Sequence, residues 1–96
     1  MRRIEIIANR SVEADLLDAL AQKGVAAYHT RIPEVYGIGN SGPRQGDHVW
    51  PEENVILVVY CSEEESAQIR DAVRELKVFF KDEGITVFEC PAERLA

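Results

Sequence analysis

With 96 residues the chain has room for one domain, 1–96, and folding would bury roughly 60–65% of its unfolded surface, enough for a small core. A net charge of −6 argues against nucleic acid, whose affinity comes largely from Lys and Arg neutralising phosphates. Arg2 and Arg3 precede only a short apolar run, and no stretch nears the ~20 apolar residues of a membrane helix, so neither a signal peptide nor membrane insertion is expected and the location follows as cytoplasmic. Cys61 and Cys90 form no CxxC pair, and in a reducing compartment both are expected to be buried free thiols.

The first element is a strand over residues 3–8, Arg3-Ile4-Glu5-Ile6-Ile7-Ala8, short, β-branched and partly alternating. Ser11 is expected to cap the helix that follows, with Glu13 and Asp15 favoured by the positive end of its dipole. Val12, Leu16, Ala19 and Leu20 form the apolar stripe, and Gly24 supplies a C-terminal stop. Val25-Ala26-Ala27-Tyr28 is expected to be the second strand. A long loop, Val35 to Glu52, then separates it from a third strand at 55–61. Ser62 and Glu65 have capping-box spacing, and Ile69, Val73, Leu76 and Phe80 recur at helical intervals to Lys81. Gly84 ends that helix, and Ile85 to Cys90 is the last strand before Pro91. The order β-α-β, loop, β-α-β predicts an α+β ferredoxin-like plait: a four-stranded antiparallel sheet with two helices on one face.

Strand 55–61 does not alternate between apolar and polar. Val55, Leu57 and Val59 lie on one side and Ile56, Val58 and Tyr60 on the other, while Ile7 adds to the second set. Helices can cover only one face of such a sheet, so the open face is expected to be apolar and to mediate self-association in a closed cyclic oligomer.

The loop VYGIGNSGPRQGDHVWPE holds Gly37, Gly39, Gly42, Gly46, Pro43 and Pro51, residues that favour backbone states outside regular elements. Structureless loops this long are uncommon in compact domains and usually carry function. Tyr36, Arg44, His48 and Trp50 suit recognition better than a linker does, and Trp50-Pro51 would anchor the base by burying the indole. Its glycines give the segment 37–52 few contacts to offset ordering entropy, so it is expected to be mobile and to order on a ligand or partner. Gly37, Gly39 and Gly42 with Arg44 either form a backbone nest for an anion or serve only turn geometry.

Gly37-Ile38-Gly39-Asn40-Ser41, standing just after the second strand of a split βαβ chain, resembles the start of the T-loop of the nitrogen regulatory P-II proteins, where the signature is G-F-G-R-Q. The topology covers the whole chain, and the string IPEVYGIGNSGPRQGDHVWPEEN looks like the mark of a divergent subgroup of the P-II/CutA superfamily. The resemblance implies a homotrimer with sheets packed inward and a small effector held in intersubunit clefts. Its effector-binding residues would be Gly37, Ile38, Gly39, Asn40, Ser41 and Arg44, and its partner-binding loop would carry Gly42, Asp47, His48 and Trp50. The target implied is a protein, either a membrane transporter or an enzyme. P-II proteins typically hold ATP phosphates with a TGxxGDGK segment (the B-loop) between the second helix and the last strand. This chain has only Lys81-Asp82-Glu83-Gly84-Ile85-Thr86 there, with two carboxylates at the phosphate position. Ser41 replaces the family's metal- and 2-oxoglutarate-binding glutamine, Arg94 alone remains of the C-terminal basic residues, and the loop interior lacks the tyrosine that is uridylylated. Weak or no ATP binding and no 2-oxoglutarate response are therefore expected.

The effector stays unknown at this level, with an adenine nucleotide and a divalent metal as the candidates. His29 and His48 could bind zinc or copper with Glu52, Glu53, Cys61 or Glu89, although no HxxxH or CxxC spacing supports it within one chain. The alternatives are that His29 hydrogen-bonds on its strand and His48 is solvated. No nucleophile motif or paired acids point to an enzyme. A CutA-like metal-binding protein and an ACT-like amino-acid-binding module are the other readings, and an RNA-binding plait is the weakest because the sheet lacks stacking aromatics.

Overall fold

Period-two burial builds the sheet. Ile4, Ile6 and Ala8 alternate with half-buried neighbours on β1 (Arg2–Asn9), as do Val55, Leu57 and Val59 on β3 (Glu52–Cys61). In this computed structural model, which describes residues 1–38 and 52–96, β1 leads through a 3-10 turn (Arg10–Val12) into α1 (Glu13–Gln22) and β2 (Thr30–Gly37). After β3 come α2 (Glu63–Phe79) and β4 (Ile85–Pro91). The strands form one antiparallel sheet in the order β2-β3-β1-β4, and the two helices lie on one face, as a βαββαβ ferredoxin-like plait requires.

The core lies between that face and the helices. Leu16 and Leu20 on α1, and Ile69, Ala72, Val73 and Leu76 on α2, keep the i, i+3, i+4 spacing that aligns them along one stripe. Leu57, Ile69 and Leu16 are fully buried, and each such side chain contributes about 1.5–3 kcal/mol of transfer free energy. Gly24 takes φ +68° just past α1, where an L-residue would be strained.

Several local expectations are corrected. Val25-Ala26-Ala27-Tyr28 is not a strand: Val25 and Ala26 are buried, Ala26 has φ +57°, and β2 begins only at Thr30. The long connection is shorter than Val35 to Glu52, because Val35, Tyr36 and Gly37 still pair with Asn54, Glu53 and Glu52. Asn9, not Ser11, caps the first helical turn, its Oδ1 accepting from Ser11 N–H at 3.0 Å. Ser62 caps α2 as expected, accepting from Glu65 N–H, but the Glu65 carboxylate turns away and accepts from Ala26 N–H at 3.0 Å. Helix α2 stops at Phe79, two residues before Lys81. Cys61 is buried, whereas Cys90 is exposed on the other side of the sheet. Burial raises the Cys61 thiol above its ordinary pKa.

Strand β2 is an edge strand and carries a bulge. Ile32 pairs with Ile56 and Val35 with Asn54, so Pro33 and Glu34 together oppose Val55 alone. Proline, which has no N–H to offer a ladder, is tolerated at such a place.

Candidate functional site

The end of the sheet where β1 finishes and β4 starts is tied down by two hydrogen bonds. Asn9 N–H donates to Gly84 O at 2.8 Å, and Ser11 Oγ donates to Glu83 Oε2 at 2.9 Å. They hold the turn after α2 against the start of the first helical segment. On the helix side of the nearby hairpin, Arg10 Nη1 lies 3.4 Å from Glu53 Oε2 and 4.0 Å from Glu34 Oε1. Tyr36 hydroxyl donates to the same Glu34 oxygen at 2.9 Å, and that carboxylate raises the phenol pKa. Further along β2, Arg31 grips Glu13 on α1 with two donors, Nη2 to Oε1 at 3.0 Å and Nε to Oε2. Arg31 holds the Glu13 carboxyl below its ordinary pKa. The base of the long connection is therefore fastened to β3 and to the 3-10 turn, and the start of β2 to α1.

On the other side of that base lies an open cleft of about 780 Å³. Gly37 and Ile38 from the end of β2, Glu52 and Asn54 from the start of β3, and Ile7 from β1 form one wall. Lys77, Lys81, Asp82, Glu83 and Gly84 form the other, with Thr86 and Phe88 of β4 below. A Cβ on Gly37 would come 3.1 Å from Asn54 Nδ2, so the missing side chain makes room for the Asn54 amide. A Cβ on Gly84 would meet Glu52 Oε2 at 3.7 Å, an ordinary contact. Cations and carboxylates thus line the same space, and Lys77 and Lys81 are the cationic donors there that an anion would meet.

The structure brings Gly37 and Ile38 into this cleft. Gly39, Asn40, Ser41, Gly42, Arg44, Asp47, His48 and Trp50 lie outside the described residues. His29 sits before β2, away from the cleft lining, its Nδ1 2.8 Å from Ala26 O as the donor to that carbonyl. Two of its suggested metal partners are engaged elsewhere: Glu53 by Arg10, and Glu89 by Arg2 Nε at 2.9 Å and Ser66 Oγ at 2.6 Å. Arg2, then Ser66, lowers the Glu89 pKa. Among the described residues no three His, Cys, Asp or Glu gather as metal ligands. Sequence reasoning missed Lys77 and Lys81. Lys77 lies in the last turn of α2 and Lys81 in the turn that follows it, so no helical periodicity joins them, and the available signal was only their nearness to the segment before the last strand.

The open sheet face carries Ile7, Ile56 and Val58, all half-buried, beside exposed Ile32, Tyr60 and Phe88. It is as apolar as the doubly hydrophobic β3 predicts. No helix among the described residues is long and apolar enough to cross a membrane.

Comparison with known proteins places these features in a wider group. The family model described as nitrogen regulatory protein P-II matches residues 1–95. No curated protein matches the chain significantly. Among solved structures, CPII of Thiomonas intermedia K12 bound to ADP and bicarbonate is 21% identical, with a TM-score of 0.67 over 93% of this chain and 82% of that one. A second structure of that PII-like protein, bound to ADP, AMP and bicarbonate, gives 18% identity and a TM-score of 0.66 over 93% and 82%. A PII-like signalling protein from Thermus thermophilus gives 18% and 0.60 over 92% and 82%. At these identities the likeness to solved structures is one of fold.

Proposed function

Because this chain belongs to the nitrogen regulatory protein P-II family, we propose that it is a cytoplasmic regulatory protein that binds an adenine nucleotide in the cleft at the base of the β2–β3 connection. It signals to a target protein through that connection and catalyses no reaction. One observation supports this above the others: the end of β2, with Gly37 and Ile38, and the basic residues at the end of α2 and in the turn after it, Lys77 and Lys81, line the same space. The structural neighbour CPII binds ADP and AMP, which adds weight to an adenine nucleotide as the effector.

The residues present suit such a ligand in part. Lys77 and Lys81 would meet phosphate oxygens, Asn54 offers an amide that can both donate and accept, and Phe88 and Ile7 give an apolar floor. Asp82 disfavours added negative charge, so a shorter phosphate chain should bind better than a triphosphate. The cleft is open on one side, and a neighbouring copy would close it. The apolar sheet face provides the means, in a homotrimer that buries Ile7, Ile56 and Val58. Nucleotide acts by preferring one arrangement of the connection, which shifts the population that the target meets.

Isothermal calorimetry with AMP, ADP and ATP tests this. ADP or AMP should bind more tightly than ATP. The double change Lys77→Ala and Lys81→Ala should weaken ADP by about tenfold or more, because a hydrogen bond to a charged group contributes about 1.5–3 kcal/mol. Absence of heat with all three nucleotides, on folded and associated protein, would refute the assignment.

A further inference from the structure

Two charges stand in the middle of the apolar sheet face. Arg3 and Glu5 both point outward from β1, which is a central strand, so they cannot lean over a sheet edge into solvent. Arg3 lies between Tyr60 on β3 and Cys90 on β4, and Glu5 between Val58 and Phe88. Their side chains are only 33% and 31% exposed even in the isolated chain, and the contact between them, Arg3 Nη1 to Glu5 Oε2, is long at 3.5 Å. Arg3 also meets the Tyr60 hydroxyl. A guanidinium has five N–H donors and a carboxylate about four acceptor positions, so these contacts still leave much of both groups to water. A second sheet laid over Val58, Ile7 and Phe88 would remove that water. Charges so desolvated must find partners or oppose association strongly.

The surface that would cover them carries the same two charges. A face bearing one cation and one anion side by side is complementary to itself once a copy is turned or shifted to match Arg3 with Glu5. The geometry points to Arg3 and Glu5 as a charge code for self-recognition: in the assembly Arg3 of one copy pairs with Glu5 of the next, fixing the register of the sheets and excluding other plaits of like shape. This rests on the self-association proposed above and goes beyond it, because the apolar residues alone would not choose a register or a partner.

Native mass spectrometry of mixtures tests the code. Arg3→Glu combined with Glu5→Arg exchanges the two charges, and the doubly changed protein should associate with itself. Mixed with isotopically labelled wild type and allowed to exchange, the two chains should sort into separate oligomers, since a mixed contact sets like charges together. Statistical mixing of the two would overturn the crossed pairing while leaving the oligomer standing. A monomeric wild type would overturn the oligomer itself. Should the double variant fail to fold by circular dichroism, Arg3→Glu and Glu5→Arg proteins serve instead. Each should self-associate roughly tenfold more weakly or worse, the least effect expected of a close interfacial charge pair, and mixing them should restore assembly in part, because a ring of three made from two kinds of chain regains two matched contacts and keeps one like-charged one. No rescue on mixing counts against the code.

Discussion

Glu65 braces the connection that delivers β2 to the cleft, and its removal gives a graded test of the fold. Its Oε2 accepts from Ala26 N–H at 3.0 Å, where Ala26 is 4% exposed and holds φ +57°. Glu65→Ala deletes a charge-assisted bond and strands a buried N–H, which together cost about 1–3 kcal/mol. For a domain of this size each kcal/mol moves Tm by about 4–8 °C, so the fall should be roughly 4–24 °C. Glu65→Gln keeps an oxygen acceptor of similar reach and loses only the charge, so its fall should be less than half as large. Ala26→Gly removes about 1–2 kcal/mol of left-handed strain but gives back about 0.5–1 kcal/mol through backbone entropy and about 0.8 kcal/mol through the lost burial of its methyl, so it should change stability by less than about 1 kcal/mol. Thermal unfolding followed by circular dichroism, at one fixed protein concentration because association shifts Tm, reads all three. Equal Tm values for Glu65→Ala and Glu65→Gln would refute the bracing role.

Two further outcomes are expected. Val58→Lys puts another charge on the open face, where the opposed Glu5 compensates it only in part and a covering sheet would desolvate it; light scattering should show loss of self-association while circular dichroism stays native. Arg31 depresses the Glu13 pKa, so the pair's contribution is present above the unfolded carboxylate pKa and is lost as pH falls through the lower folded value; urea midpoints measured from pH 6 down to about 3 should fall less steeply in Arg31→Met.

The element order was legible because the two central strands and both helices bury one face each, and burial writes its period into the residues. Ile69, Val73 and Leu76 could hardly be read otherwise. Strand β2 was not legible. At the edge of the sheet its burial pattern is almost wholly exposed, so Thr30, Arg31 and Glu34 carry no alternation, and Pro33 reads as a break. The apolar Val25 and Ala26 drew the strand assignment because they are buried, but they fill the core from a turn. The cleft was half legible. Gly37 and Ile38 announced themselves by position after a strand, while Lys77 and Lys81 looked like the ordinary basic end of a helix.

The extra residue on β2 settles the parity of everything beyond it. Upstream of Pro33, even-numbered residues such as Thr30 and Ile32 share the open side; downstream, the odd-numbered Val35 and Gly37 do. Without that half-step, Tyr36 would occupy the side now held by Gly37, and a phenol would stand where the Asn54 amide has its room. Arg10 and Glu34 would lose their aromatic neighbour in the same movement. Pairing, more than length, is therefore what this hairpin constrains. A single deletion between Ile32 and Val35 would remove the bulge and leave Tyr36 opposite Glu53 and Gly37 opposite Glu52, whereas straightening the bulge with every residue kept would invert the strand end and the direction in which the chain leaves it.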